Sequence, residues 1–333
     1  MTIGKVINTY GENYTPYVGN LVNHLPMAQL AIYKMTKDLR KVMTYSEYFL
    51  ERANIDRIRD SYPNTNSLED TLGNREQYQA CLDFIRMDLA EEDLDVYLNQ
   101  ILNKYILGLS SGLFHSSIRL AYAIEGLSLD FSLTSEVERA LAYYVTAYRE
   151  SKLFTRKIQA NYIKEEMAKL VDDDQVSGIL EKHHSLGQKL KALYSEKVYM
   201  SKGFIIDGSP DDKINALLEL LLPAYYYSGN IVTLHCITGL HAIIVLRDYF
   251  DDYSLALDIL TTSILSHLLT TGYNDYNREI KDYYHISFDA ILDVASEKSD
   301  VHTIKLAYTC SELKMSYNKK GLEEIAIKRI RNT

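Results

Sequence analysis

The sequence predicts an all-α fold, a single large multi-helix domain with a buried site between its helices. Three observations carry that expectation. Apolar residues recur at spacings near 3.6 through long stretches, and alternation of the kind a strand needs is almost absent. The chain holds only 5 prolines and 15 glycines in 333 residues, so few positions interrupt a helix. Hydrophobic residues make up 47% of the chain, which leaves ample material for a core without disulfide staples. Neither an internal repeat nor a low-complexity tract divides the sequence, so residues 1–333 are taken as one domain, with a candidate internal break at 201–212.

Taken in order, residues 1–20 are polar and contain glycines, which suggests an irregular arm. Asn23 is a plausible N-cap for a helix with Pro26 in its first turn, where the missing amide hydrogen is not needed. His24 then stands at a helix mouth. Helical spacing continues to about Asp60; the stretch 61–66 and Leu72-Gly73-Asn74 break it. Helices are expected from about Glu76 to Leu89 and from Asp93 to Leu107. The serine- and glycine-containing turn at 110–112 should start another, with His115, Ile118 and Tyr122 on its buried side. Ser135 with Glu138 three residues on has the form of a capping box. Residues 152–199 are charged and helical, and His183 and His184 fall on a polar helical surface. After the 201–212 loop comes a strongly apolar helix that Gly229 ends, and a further helix begins almost at once. Lys319 to Arg331 is expected to be a solvated helix or a frayed tail.

Composition excludes several classes of function. The net charge of −9 is spread along the sequence, and no basic cluster is interleaved with aromatics, so nucleic acid is not an expected partner. The apolar run around Leu217 to Tyr227 is too short to span a bilayer, so no membrane association is expected. Cys81, Cys236 and Cys310 are far apart within apolar helical patterns, as expected of core residues in a reducing, cytoplasmic protein. The 28 tyrosines, with no tryptophan, fall mostly within helical stretches and have a structural role. The sequence has no GxGxxG after a strand, no GxxxxGK[ST] and no GxSxG, which argues against a nucleotide-binding or serine-hydrolase scaffold.

What remains is a set of histidines. His24, His115, His235 and His302 all stand at helix starts or on helical faces. A histidine in such a place is either a hydrogen-bonded core residue or a metal ligand, and all-helical proteins do assemble metal sites from facing helices. His235 shares its face with Thr238, Gly239 and Ala242, small neighbours that admit another group. His241 lies on the side of Leu234 and Ile237, as a core residue or a support behind the ligands would, and Thr238 has the same supporting character. His302 and Lys305, three residues apart, sit side by side on one helical face, as a surface pair or as two ligands to one centre. Several histidines with an anionic oxygen ligand fit non-haem iron better than structural zinc. Glu125 cannot supply that anion to His115, because ten residues of helix separate them by about 15 Å.

The segments Asn23-His24-Leu25-Pro26-Met27, Gly112-Leu113-Phe114-His115 through Glu125, Thr233-Leu234-His235 through Ala242, and Asp300-Val301-His302-Thr303-Ile304-Lys305 resemble, in order and rough spacing, successive motifs of the questin oxidase family. That resemblance implies an all-helical oxygenase that opens or hydroxylates a ring of a polycyclic aromatic or quinone-type substrate, formally like a Baeyer-Villiger oxidation. It implies a mononuclear non-haem iron (Fe) held by His24, His115, His235 and His302, with Lys305 carboxylated by carbon dioxide to a carbamate. A lysine kept neutral in a dry pocket can add carbon dioxide, and the carbamate would be the missing anion. Phe114, Ile118, Tyr122 and Met27 become candidate walls for a small apolar aromatic substrate. The sequence differs from many members at Ser116 and Arg119, and from some at Met27. It offers no recognisable site for NADPH, so reducing equivalents would need a separate reductase. Two alternatives stand beside this expectation: a non-catalytic helical binding protein that retains the fold, and a metal-dependent hydrolase.

Overall fold

A computed structural model describes every residue except Asn20, Asp60, Lys281, Asp282, Tyr283 and His285. Asp60 itself lies outside the described residues, but the helical stretch expected to reach it already ends at Arg52, and residues 53–59 are not helical. Among the described residues there are seventeen α-helices and four short strands, which bears out the all-α expectation. None of the described helices is long and apolar enough to cross a membrane.

The N-terminal arm is helical where an irregular segment was expected. Thr2 caps α1 (Ile3–Gly11), and Ile3, Val6 and Ile7 bury one face. Strands β1 (Tyr17–Val18) and β2 (Leu21–Val22) form a small hairpin ahead of α2 (Leu25–Thr36) and α3 (Leu39–Arg52). Then come α4 (Tyr78–Leu89), α5 (Leu94–Lys104), α6 (His115–Leu127) and α7 (Thr134–Thr146). The capping box expected at Ser135 does not form. The helix starts two residues earlier, with Leu133 at its N-cap position, and Glu138 instead pairs with Arg86 at 3.0 Å.

The region 152–199 is less helical than its spacing suggests. Strand β3 (Lys157–Gln159) precedes α8 (Ile163–Val171), α9 (Asp174–Glu181), α10 (Leu186–Ser195) and α11 (Lys197–Lys202). His183 and His184 lie in the turn between α9 and α10, not on a helix. The 201–212 break contains β4 (Ile205–Asp207), which pairs in parallel with β3. Each strand is three residues long, too short a run to register as strand periodicity in the sequence.

The long apolar helix α12 (Pro210–Ser228) starts at a Ser209 capping box and ends at Gly229, whose φ of 60° is the left-handed conformation of a C-cap. Asn230 caps α13 (Ile231–Val245) directly afterwards. The remaining helices are α14 (Tyr253–Leu269), α15 (Phe288–Ser296), α16 (Val301–Tyr317) and α17 (Gly321–Arg331). The last is not a frayed tail: Leu322, Ile325 and Ala326 are buried and α17 packs on α12 and α16. Cys81, Cys236 and Cys310 are free thiols in the core.

The centre of the molecule is a ring of four helices. α6 packs on α13, α13 on α16, α16 on α2, and α2 on α6. The four expected ligand histidines sit at the N-terminal ends of these four helices: His24 caps α2, His115 opens α6, His235 lies one turn into α13 and His302 is the second residue of α16.

Candidate metal centre

Each histidine reaches the centre by a different local device. Asn23 accepts a hydrogen bond from the Leu25 amide at 3.0 Å and donates to the Thr15 carbonyl at 3.1 Å. That takes the capping role one residue early and leaves the His24 ring free of it. Before α6, Leu113 (φ 57°) and Phe114 (φ 64°) are both left-handed, at a cost of about 1–3 kcal/mol each for non-glycine residues. These two residues turn the chain so sharply that His115 opens the helix while already buried. Asp300 caps α16 through the Thr303 amide at 3.0 Å and lies 3.5 Å from His302 Nδ1.

The rings converge. His24 Nε2 is 2.7 Å from His115 Nε2, and His235 Nε2 is 3.0 Å from the same atom. The ligand atoms of His24, His235 and His302 all lie within 4.8 Å of one another. Around a metal with bonds of about 2.1 Å, nitrogens at right angles lie about 3.0 Å apart, so the two short separations match edges of a coordination shell.

Protonation sharpens the case. His115 Nδ1 donates to the Gly112 carbonyl at 2.5 Å, and His235 Nδ1 donates to the Ile231 carbonyl at 2.8 Å. His24 hydrogen-bonds the backbone of Val22. In a neutral imidazole a proton on Nδ1 leaves Nε2 bare. The Nε2 atoms of His115 and His235 therefore face each other 3.0 Å apart with lone pairs and no proton to share. Protonating one of them does not resolve this, because burial holds His24, His115 and His235 well below the usual histidine range. Burial also lowers His302, against the opposing pull of Asp300. Asp300 itself, despite partial burial, is held well below the usual carboxylate range by His302, Thr303 and Arg329.

Lys305 lies one turn beyond His302 and is fully buried, and its Nζ has no hydrogen-bond partner. Burial pushes its pKa down to about 7, and its charge is felt by all four histidines. A buried, unpaired, readily neutral amine beside four imidazoles fits the carbamate ligand that the donor set lacks. The four helix N-termini add partial positive charge there, which favours a carbamate anion over a charged ammonium at Lys305.

The other expected residues are placed differently. Thr238 Oγ1 donates to the His235 carbonyl at 3.3 Å, on the helix behind that histidine. His241 is not at this centre; it lies further along α13 beside Glu125 and Glu312. Met27, Phe114, Ile118 and Tyr122 are all core residues. None of these four lines the cleft of about 830 Å³ that opens beside the 110–113 turn. Gly112, Leu113, Arg149, Tyr194 and His267 contribute to that cleft's wall. Phe114 lies between cleft and centre: it precedes His115 in the chain, and its ring packs against His267 with centroids 4.9 Å apart.

Sequence reasoning passed over His267 and Glu312. His267 sits in an apolar run of α14, donates Nδ1 to the Ser263 carbonyl at 2.7 Å, and is pushed down to about 4 by burial. A histidine inside so apolar a helix was the available signal. Arg119, which had no assigned role, is buried in an ion triad in which Glu136 accepts from both Arg119 and Arg139 at 2.8 Å.

The sequence model of a family described as questin oxidase-like matches residues 21–310 of this chain. A search of curated proteins returned no match.

Proposed function

Because the chain belongs to the questin oxidase-like family, whose name denotes oxidative chemistry, we propose that it is a non-haem iron-dependent oxygenase. Its substrate is a polycyclic aromatic or quinone-type molecule, one ring of which is opened or hydroxylated. The observation that supports this reading is the pair of Nε2 atoms facing each other 3.0 Å apart, which a shared cation would relieve.

His24, His115, His235 and His302 would hold the iron, with Lys305 as its anionic oxygen donor after carboxylation. For that modification the neutral Nζ forms a bond to the carbon of carbon dioxide, one C=O π pair moves onto oxygen, and one N–H proton leaves. Bound iron would supply the redox chemistry by which dioxygen reacts with an aromatic ring.

The chain's own groups do the rest. The carbonyls of Gly112 and Ile231 fix the tautomers of His115 and His235, so that each presents a lone pair to the centre. The apolar cleft takes the flat substrate, and Arg149, Lys152 and Lys191 on its wall favour a phenolate form. Phe114, fully buried, keeps bulk water in the cleft from the histidines. Reducing equivalents, where the reaction draws on them, come from a separate reductase rather than from NADPH bound to this chain.

Elemental analysis of protein produced with iron and bicarbonate tests the reading. About one iron per chain is expected, lost in His115→Ala, while in Lys305→Ala loading no longer responds to bicarbonate. Metal-free protein with full ring-opening activity overturns the proposal.

A further inference from the structure

The same four helices carry a second polar cluster further along their lengths. Glu125 on α6, His241 on α13 and Glu312 on α16 each bring one ligand atom to within 4.8 Å of the other two. Ten residues separate Glu125 from His115 and Glu312 from His302, and six separate His241 from His235, which places this cluster about 9–15 Å down the helix axes from the first. The two clusters therefore cannot share an ion.

Two features set this cluster apart from an ordinary surface group of acids. His241 is 6% exposed, yet no hydrogen bond among the described residues engages either of its ring nitrogens; its only ring contact is edge-on to Tyr308 at 6.1 Å. Glu125 is divided between two environments. Its Oε1 accepts from Lys34 Nζ at 2.6 Å and from the Tyr308 hydroxyl at 2.5 Å, whereas its Oε2 is buried with no partner. The Glu125 oxygen loses hydration that nothing in the chain replaces, and the His241 ring beside it has no hydrogen bond among the described residues.

We propose that Glu125 Oε2, His241 and a Glu312 oxygen form a second cation site, for a divalent first-row metal such as Mn²⁺ or Zn²⁺. One imidazole with two carboxylates is a donor set of intermediate hardness, suited to those ions rather than to a thiophilic one. Lys34 neutralises one of the two carboxylates, so the site carries a net charge near −1 before the ion enters. Its bonds to Oε1, like that of Tyr308, fix the carboxylate with Oε2 turned inward. Glu312 is only partly buried and gives the ion a route from solvent. The ring contact of Tyr122 with Tyr308, with centroids 5.5 Å apart, fills the space between the two clusters on the α6 and α16 sides.

Chelator-stripped full-length protein is titrated with Co²⁺, with bound metal counted by elemental analysis after gel filtration and folding checked by thermal melting. Wild type is expected to bind two ions per chain. Glu312→Gln, at a partly exposed position, and Glu125→Gln should each bind one, with affinity at the altered site reduced by at least about tenfold, the scale set by losing even an outer hydrogen bond to a ligand. His115→Ala should keep the ion that depends on Glu312. A single ion that survives Glu312→Gln, or two ions in wild type and in Glu312→Gln alike, overturns the proposal. A single ion that Glu312→Gln abolishes supports this site and counts instead against the four-histidine centre.

Discussion

Replacing Lys305 with methionine should have opposite effects on the stripped and the loaded protein. The ammonium of an ordinary lysine titrates near 10.5, whereas burial pushes Lys305 down to about 7. At pH 8 the folded chain therefore holds this amine neutral and the unfolded chain holds it charged. Each pH step between 8 and 10.5 contributes about 1.4 kcal/mol of penalty, so the native state gives up roughly 3 kcal/mol at pH 8. The penalty is largest below pH 7 and fades as pH approaches 10.5, because across that interval the unfolded chain binds the additional proton. Methionine has nearly the same length and no charge to desolvate. In chelated, carbon dioxide-free buffer Lys305→Met should raise the melting temperature by on the order of 4 °C, given an unfolding entropy that scales with chain length. With iron and bicarbonate present the ordering should reverse, since wild type gains binding energy that the variant cannot. Differential scanning calorimetry of both proteins in both buffers makes the comparison. A stripped variant less stable than stripped wild type would show that Nζ has a partner in the folded chain, and the account of Lys305 as a held-open ligand would fail.

Other perturbations act on the frame around the centre. A Cβ added at Gly239 would lie 2.6 Å from Phe114 Cγ, and that ring is fully buried against His267, so Gly239→Ala should cost about 1–3 kcal/mol in denaturant unfolding and weaken metal binding through His115; an unchanged midpoint would refute this. Glu136→Leu strands two guanidinium groups that are 1–2% exposed, and should cost about 3–5 kcal/mol by the same measurement. Stability should fall as pH drops from about 6.5 towards 4. The unfolded chain takes up a proton at each histidine in that window, while His267, pushed down to about 4, and the still lower His24, His115 and His235 stay neutral in the fold. His267→Gln should flatten that slope, and a midpoint that rises in acid would contradict the assignment of neutral buried rings.

The sequence discloses these features unevenly, and the reason is physical range. Signals that act within one turn are legible: Gly229 followed by Asn230 marks the stop and restart that the backbone makes, and three-residue spacing does set His302 beside Lys305. Signals in competition with tertiary contacts mislead. Ser135 and Glu138 have capping-box spacing, but Arg86 from α4 takes the carboxylate. α1 is short, and its few apolar residues are diluted by polar ones, so its helicity comes from packing on the segment around Ser132 and on α7. The short distances between His24, His115 and His235 are tertiary facts, since 91 and 120 residues separate the facing pairs. Only similarity to a family gathered those positions before the fold did. The same limit hid the cluster at Glu125, because periodicity assigns His241 to an apolar face without showing what α6 and α16 bring to meet it.

The arrangement of the four helices links the two clusters through one design. α2, α6, α13 and α16 converge at their N-terminal ends on four imidazoles and an amine, and converge again further down on Lys34, Glu125, His241 and Glu312. They must therefore run in the same direction, and their dipoles add rather than cancel. Four positive helix ends at one point disfavour protonated histidine and charged lysine and favour an anion, which is the state that ligation by neutral imidazoles and a carbamate would demand. Reversing any one helix would replace bare N–H groups with carbonyls and lift the pKa of the nearest imidazole. Moving down the helices, that field decays within about a turn, and there the chain changes its donors from imidazoles to carboxylates balanced by a lysine. The shift from nitrogen-rich to oxygen-rich donors along a common axis would let one bundle hold two different ions without either site capturing the other's.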